Sequence, residues 1–294
     1  MIESIVIGTE LKRKARRLIK SISLMSIAAL TGACNSLFYY PMSEEVMTPE
    51  QAHIDYVPYT IQTRSKVKLA AWWLKADPSH TKNRLLVQFH GNAENMSTHF
   101  KFVAWLPAAG VDVVTFDYRG YGRSDPKPPT QKGLVEDGCA ILEWIRQHPE
   151  LSQRPLYVLG QSLGGAVASS TLAACLDADV KGLIIDSSFS SYRKTARLVL
   201  SRFWLTWPFQ YPLSWLITDE EEPMAAMSHL TVPLLAFHSP ADPVVPYRVG
   251  EELFAASASA DKEFVAVSIK GHTTAFATPD SPYKDKLLQF ISRR

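Results

Sequence analysis

The chain has 294 residues, 46% of them hydrophobic and 20% charged, which suits one large or two small domains with a real core. This balance excludes a disordered chain, a collagen-like repeat and a disulfide-built mini-scaffold. The formal net charge is +2, but residues 1–33 hold six cations (Lys12, Arg13, Lys14, Arg16, Arg17, Lys20) and two anions (Glu3, Glu10), a local +4 that leaves −2 on the other 261 residues. A basic domain for nucleic acid is therefore absent. Charged and Pro residues recur through nearly every segment, which argues against a polytopic membrane protein.

At the N-terminus a basic run (Lys12 to Lys20) precedes an uncharged apolar run (Ser21 to Ala33) and then Thr31-Gly32-Ala33-Cys34. A positive region, a short apolar region and small residues are the layout of an export signal. With a cysteine directly behind the small residues, the segment resembles a bacterial lipoprotein signal. That resemblance implies that residues 1–33 are removed and that Cys34 becomes the lipidated mature N-terminus. Two or more acyl chains, at about 0.8 kcal/mol per buried methylene, hold a protein stably at a membrane. The alternative is a single signal anchor, since the uncharged stretch continues to Ser43 and approaches the ~20 residues needed to span. Either way the remainder lies on the periplasmic or extracellular face.

Residues 34–53 read as a linker, and 54–294 as the folded domain. Ile54–Thr63 and Val67–Ala76 alternate like two antiparallel strands. Strands then alternate with helices. Leu85–Phe89 is followed by a helical stretch near 94–108, and Val111–Phe116 by a Gly-rich loop at 118–126. The pattern predicts a helix over 131–147, further buried strands at Leu156–Leu159, Leu183–Ile185 and Leu234–Phe237, a final strand at Phe264–Ile269, and a closing helix over 283–292. This alternation predicts an α/β fold with a mostly parallel sheet covered on both faces. Residues 190–230 are too long for a simple connection and carry Phe203, Trp204, Trp207, Phe209, Tyr211 and Trp215, so they read as a lid insertion. Its aromatics are expected either to pack as a small lid core or, through Trp204, Trp207 and Trp215, to line an apolar substrate pocket. Cys139 and Cys175 lie in apolar helical stretches, as buried thiols or, in an exported protein with neighbouring helices, as a disulfide. No paired cysteines and no His-Glu-x-x-His pattern suggest a metal site, and no cofactor is expected.

Gly160-Gln161-Ser162-Leu163-Gly164-Gly165 sits between a predicted strand and a predicted helix. The glycines permit a tight turn that lifts the Ser162 hydroxyl above the sheet edge at the helix N-terminus. From about residue 54 onward the chain resembles the α/β-hydrolases. His90-Gly91-Asn92-Ala93 stands where those enzymes place an oxyanion loop, and Asp117-Tyr118-Arg119-Gly120-Tyr121-Gly122-Arg123-Ser124 matches a common loop of the family. His238-Ser239-Pro240-Ala241-Asp242 resembles the acid-bearing turn, and Lys270-Gly271-His272 the histidine loop. The His-Gly-Asn-Ala start and Asp186-Ser187-Ser188-Phe189-Ser190-Ser191 look most like the serine aminopeptidase-like branch.

The order Ser162, Asp242, His272 is nucleophile, acid, base. His272 would take the Ser162 proton while Asp242 holds the imidazole tautomer, and backbone N–H groups of Leu163 and Asn92 would bind the oxyanion. Asp186 competes with Asp242 for the acid, and His238 with His272 for the base. The expected activity is cleavage of a carboxylic ester, thioester or amide through an acyl-enzyme. The alternatives are acyl transfer by the same triad or a non-catalytic envelope-binding module. The expected partners are a small ester or acyl substrate and a membrane, through the N-terminal lipid; oligomeric state stays open.

Overall fold

The computed structural model describes residues 39–79, 81–175, 180–201 and 204–293, so the export segment and Cys34 lie outside the described residues. Eight strands build the main sheet: β1 (Tyr56–Gln62), β2 (Lys68–Leu74), β3 (Arg84–Phe89), β4 (Val111–Phe116), β5 (Leu156–Gln161), β6 (Val180–Asp186), β7 (Leu234–His238) and β8 (Lys262–Ala266). Their order across the sheet is β8-β7-β6-β5-β3-β4-β2-β1. Only β2 runs against its neighbours, pairing antiparallel with β1 and β4; every other pairing is parallel. The helices are α1 (Met96–His99), α2 (Gln131–Gln147), α3 (Leu163–Cys175), α4 (Tyr192–Ser201), α5 (Gln210–Trp215), α6 (Pro223–Met227), α7 (Tyr247–Ala256) and α8 (Tyr283–Ser292).

The short apolar strands serve two cores because successive side chains point to opposite faces. In β3, Leu85, Val87 and Phe89 join one core and Leu86 the other; in β7, Leu234 and Ala236 oppose Leu235 and Phe237. Leu134 and Ile141 of α2, Leu172 of α3 and Leu253 of α7 close the first face. Met96 of α1 and Leu287 and Ile291 of α8 help close the second. Each such fully buried side chain stabilises the fold by roughly 1.5–3 kcal/mol.

Local chemistry sets the helix ends. Thr130 caps α2, its hydroxyl accepting the Gly133 N–H at 3.0 Å. Pro149 then forces the preceding His148 into an extended conformation and ends the helix. The predicted helix near 94–108 is the main departure. Only Met96–His99 is α-helical, followed by a 3₁₀ turn at Phe100–Phe102. Beyond it the chain turns through i→i+3 bonds, from the Val103 N–H to the Phe100 carbonyl and from the Leu106 N–H to the Val103 carbonyl, both 2.9 Å, the pattern of 3₁₀ turns rather than an α-helix.

Helices α2 and α3 lie side by side on one face. A side chain at Gly138 would collide with Thr171, its Cβ falling 2.5 Å from the threonine hydroxyl, so glycine permits the close approach. One residue on from Gly138, Cys139 meets Cys175, one turn on from Thr171, with Cα atoms 5.9 Å apart, and the two form a disulfide. The bond closes a loop of sequence separation 36, for which chain-entropy reasoning gives about 3–4 kcal/mol of stabilisation. Reduction, or Cys175→Ser, is expected to lower the free energy of unfolding by that amount in a urea titration. A midpoint that ignores reductant would contradict it.

Candidate active site

The carboxyl ends of the central strands converge on one cavity. β5 ends at Gln161, and Ser162 follows with φ +53°, a left-handed conformation that costs a non-glycine residue free energy and persists only where the surroundings impose it. Two features impose it here. The Ser162 N–H donates to the Asp186 carbonyl at 2.9 Å, and α3 starts at the next residue. Gly164 passes so near β3 that a Cβ would overlap the Phe89 carbonyl oxygen, so no side chain fits. The turn therefore presents the Ser162 side chain at the N-terminus of α3.

Asp242 lies on the loop after β7. Its Oδ1 accepts the N–H groups of Val244 (2.7 Å) and Val245 (3.0 Å), and its Oδ2 accepts His272 Nδ1 at 2.8 Å. Burial raises this carboxyl, but hydrogen bonds from His238, His272 and Val244 outweigh it and hold Asp242 well below the usual carboxylate range. Since the carboxylate can only accept, His272 donates through Nδ1 and leaves Nε2 as the proton-accepting atom. His238 is buried, donates to the Val245 carbonyl at 2.9 Å and lies 3.4 Å from Asp242 Oδ2, so it shapes the acid loop. Asp186 bonds to Gln161 (3.3 Å) and Ser187 (3.0 Å). Of the two carboxylates weighed from the sequence, Asp242 is the one hydrogen-bonded to His272.

Ser162, His272, Leu163 and Asn92 all line a cavity of about 640 Å³. Its remaining wall is largely aliphatic, from Ala196, Val199 and Leu200 around α4, Leu213 and Ile217 around α5, and Val244 and Val245 beside the acid. No Asp or Glu is among the described residues lining it. The Asn92 side chain holds its loop, accepting the Tyr121 hydroxyl at 2.9 Å and the Tyr40 N–H at 3.3 Å. His90 is buried beneath, its Nδ1 donating to the Gly91 carbonyl at 2.7 Å, and burial keeps it neutral. Asp117 ties this loop to the Gly-rich one by accepting the Met96 N–H at 2.7 Å and the Arg123 N–H at 3.2 Å.

The tryptophans fall elsewhere. Trp204, Trp207 and Trp215 are 85%, 59% and 70% exposed, and none is among the cavity-lining residues. The expected pocket of aromatic side chains is corrected to an aliphatic one, and the expected packed aromatic lid core to a solvent-exposed surface. The helical repeat of α5 explains it: Leu213 lines the cavity, whereas Trp215, two residues on, is turned about 200° from it. The insertion's last part returns to the core through Met227 and Leu230.

Sequence reading missed a chain of buried polar groups beneath the site. Thr115 donates to Gln88 (3.0 Å), Gln88 to Gln161 (2.9 Å) and Gln161 to Asp186 (3.3 Å). Ser187 donates to Asp186, and its hydroxyl accepts the Thr273 N–H at 3.1 Å, next to His272. The available signal was a glutamine inside each of two otherwise apolar strands.

Burial raises Asp186 from its ordinary value to about 6. The folded state thus holds this proton across a range where the unfolded chain has released it. The associated stability is complete below about pH 4 and lost as pH rises through 6, an upper bound of about 3 kcal/mol. Denaturant midpoints from pH 4.5 to 7.5 should show Asp186→Asn flattening this part of the profile; parallel curves for variant and wild type would contradict the assignment.

Sheet order, strand directions and the position of the site define an α/β-hydrolase, and the protein is an enzyme of that hydrolase class. Residues 80–226, half of the chain, match the family described as Serine aminopeptidase, S33, and the chain belongs to that family. Among relatives it is 28% identical over 297 residues to the protein YfhR of Salmonella typhi, covering 94% of this chain and 96% of that one. It is also 28% identical over 231 residues to the lysophosphatidylserine lipase ABHD12 of Danio rerio, covering 75% of this chain and 57% of the relative. Among solved structures, the Pyrococcus furiosus esterase Pf2001 superposes with a TM-score of 0.72 at 22% identity, covering 87% of this chain and 97% of that one.

Proposed function

We infer that the protein is a serine esterase working through an acyl-enzyme, with Ser162 as nucleophile, His272 as base, Asp242 as the group orienting it, and the N–H groups of Leu163 and Asn92 as oxyanion donors. The observation that carries this reading is the 2.8 Å bond between His272 Nδ1 and Asp242, made at the edge of an apolar cavity that Ser162 also lines. His272 Nε2 would remove the Ser162 proton as Oγ attacks the ester carbonyl, then deliver it to the leaving alkoxide, and the reverse sequence with water would release the acid. Each oxyanion donor contributes about 2.7–4 kcal/mol to such a transition state. An aminopeptidase would need an anion to receive the substrate ammonium, and the lining has no carboxylate to offer among the described residues. The aliphatic wall favours the acyl part of an ester. A panel of p-nitrophenyl esters of increasing chain length, with matching anilides and aminoacyl anilides, tests the reading. Ester turnover rising with chain length and exceeding anilide turnover is expected; aminoacyl anilides as the best substrates would overturn it.

Export with a lipid on Cys34 accompanies this reading and is supported by the Cys139–Cys175 disulfide, a bond that persists in oxidising compartments. A leader of 1–33 follows from it, but the expected 34–53 linker is corrected in its described part: Tyr39 is buried in the core, Tyr40–Pro41 pairs with Ala93–Glu94, and the Val46 N–H donates to Ser97, so the packed domain begins before residue 54. No helix among the described residues is long and apolar enough to cross a membrane. Cys34→Ser is expected to move the protein from the membrane fraction to the soluble one. Unchanged retention would favour the signal anchor.

A further inference from the structure

The insertion carries an apolar surface that the hydrolase core does not use. From Trp204 to Ile217 the chain has fourteen residues and no formal charge. Trp204, Leu205, Trp207, Phe209, Tyr211 and Trp215 are all exposed there. A contiguous run of large exposed apolar groups marks an interaction surface. Aromatic side chains with an apolar body and a polar edge suit the boundary between lipid headgroups and acyl chains.

Two observations identify what covers it. First, the cavity opens onto this same region: Val199 and Leu213 of the insertion, like Tyr40 and Val244, line the cavity and are exposed. Second, the described residues begin at that opening. Tyr40–Pro41 pairs with Ala93–Glu94 of the loop beside Asn92, and the Tyr40 N–H is held by the Asn92 side chain. Cys34 lies six residues before Tyr40, which a fully extended chain spans in about 20 Å. An N-terminus anchored at a membrane therefore keeps the cavity mouth within that distance of the lipid.

We propose that the exposed face of residues 204–217 docks on the surface of a phospholipid bilayer, with the cavity mouth turned toward the lipid so that an ester substrate passes from membrane to Ser162 without crossing water. The segment itself has no formal charge, so attachment is mainly apolar, with the Arg197 guanidinium over the Tyr211 ring as the cation recorded against this face. The substrate route rests on the esterase reading above; the docking surface does not.

The test uses the full-length chain reconstituted into phosphatidylcholine vesicles with brominated acyl chains, which quench tryptophan at the membrane. Trp204, Trp207 and Trp215 belong to the surface, while Trp72 and Trp73 are buried in the core. Quenching relative to unbrominated vesicles is expected in the wild type and is lost on Leu205→Asp/Phe209→Asp, two exposed side chains outside the cavity lining. In the same variant, turnover of a long-chain ester embedded in the vesicle falls about tenfold or more, while a soluble short-chain ester is hydrolysed as before. The milder Leu205→Ser/Phe209→Ser pair is expected to change both readouts in the same direction. No quenching in the wild type, equal quenching in wild type and variants, or a concentration-dependent dimer that shields these tryptophans in solution would each overturn the proposal. If the wild type hydrolyses no ester yet is quenched, the esterase reading fails and the docking surface stands.

Discussion

Ser162→Ala is expected to abolish fluorophosphonate labelling and to lower kcat on p-nitrophenyl esters by a factor on the order of 10⁴–10⁶. Alanine removes the only atom at that position able to form an acyl-enzyme. It leaves intact the surroundings that impose φ +53° on residue 162, namely its N–H bond to Asp186 and the passage of Gly164 against Phe89. The variant should therefore unfold at nearly the same denaturant concentration as the wild type, because alanine is no more at ease than serine in the left-handed region. Whatever rate remains would come from substrate binding and oxyanion donors alone. A folded variant that still took the label would remove Ser162 from the mechanism.

Asp242→Asn should cost about 10⁴-fold in kcat, through the tautomer of His272 rather than through binding. The two backbone N–H groups of Val244 and Val245 require an acceptor and would hold the asparagine carbonyl where Oδ1 now sits. Its amide nitrogen would then face His272 Nδ1, which now donates to Oδ2. The imidazole would accept there and carry its proton on Nε2, the atom that must instead accept one from the nucleophile. KM should change little. The substitution also acts on stability. The folded-state value of Asp242 is depressed, so its contribution is present above the ordinary carboxylate range and lost as pH falls below it. The variant should lose stability at neutral pH and little in strong acid. Equal losses at both pH values would mean that the effect is steric.

Much of this site is legible in one dimension. The Gly-x-Ser-x-Gly turn is local: strand, strained serine and helix follow one another within a few residues, so Ser162 and Leu163 could be read directly. The order of acid and histidine after late strands was enough to nominate Asp242 and His272, although only the strand before Asp242 is buried and the one before His272 is the half-exposed edge strand. The sequence favoured Asp242 over Asp186 as the acid without deciding between them. Asp186 ends a strand and Asp242 lies on the loop after the next, and only the three-dimensional course of the chain brings one of them to His272. The buried chain from Thr115 through Gln88 and Gln161 to Asp186 and Ser187 was illegible for the same reason. Its members lie far apart in sequence and adjoin only because β4, β3, β5 and β6 are neighbours in the sheet.

The insertion divides in the same way. Its position, its length and its aromatic content are properties of the chain and were open to reading. Which side of it faces the cavity depends on how α4 and α5 settle on the opening, and that packing turned Val199, Leu200, Leu213 and Ile217 inward and the tryptophans out. The pairing of Cys139 with Cys175 likewise required two helices to meet at Gly138. By itself, then, the sequence determined the alternating elements, the nucleophile turn and the basic leader, because short-range periodicity and backbone sterics act between near neighbours. The bond of His272 to Asp242 rather than Asp186, the disulfide, the buried polar chain and the face of the lid are decided by tertiary structure, because each is a contact between segments that only the closed sheet and its helices bring together.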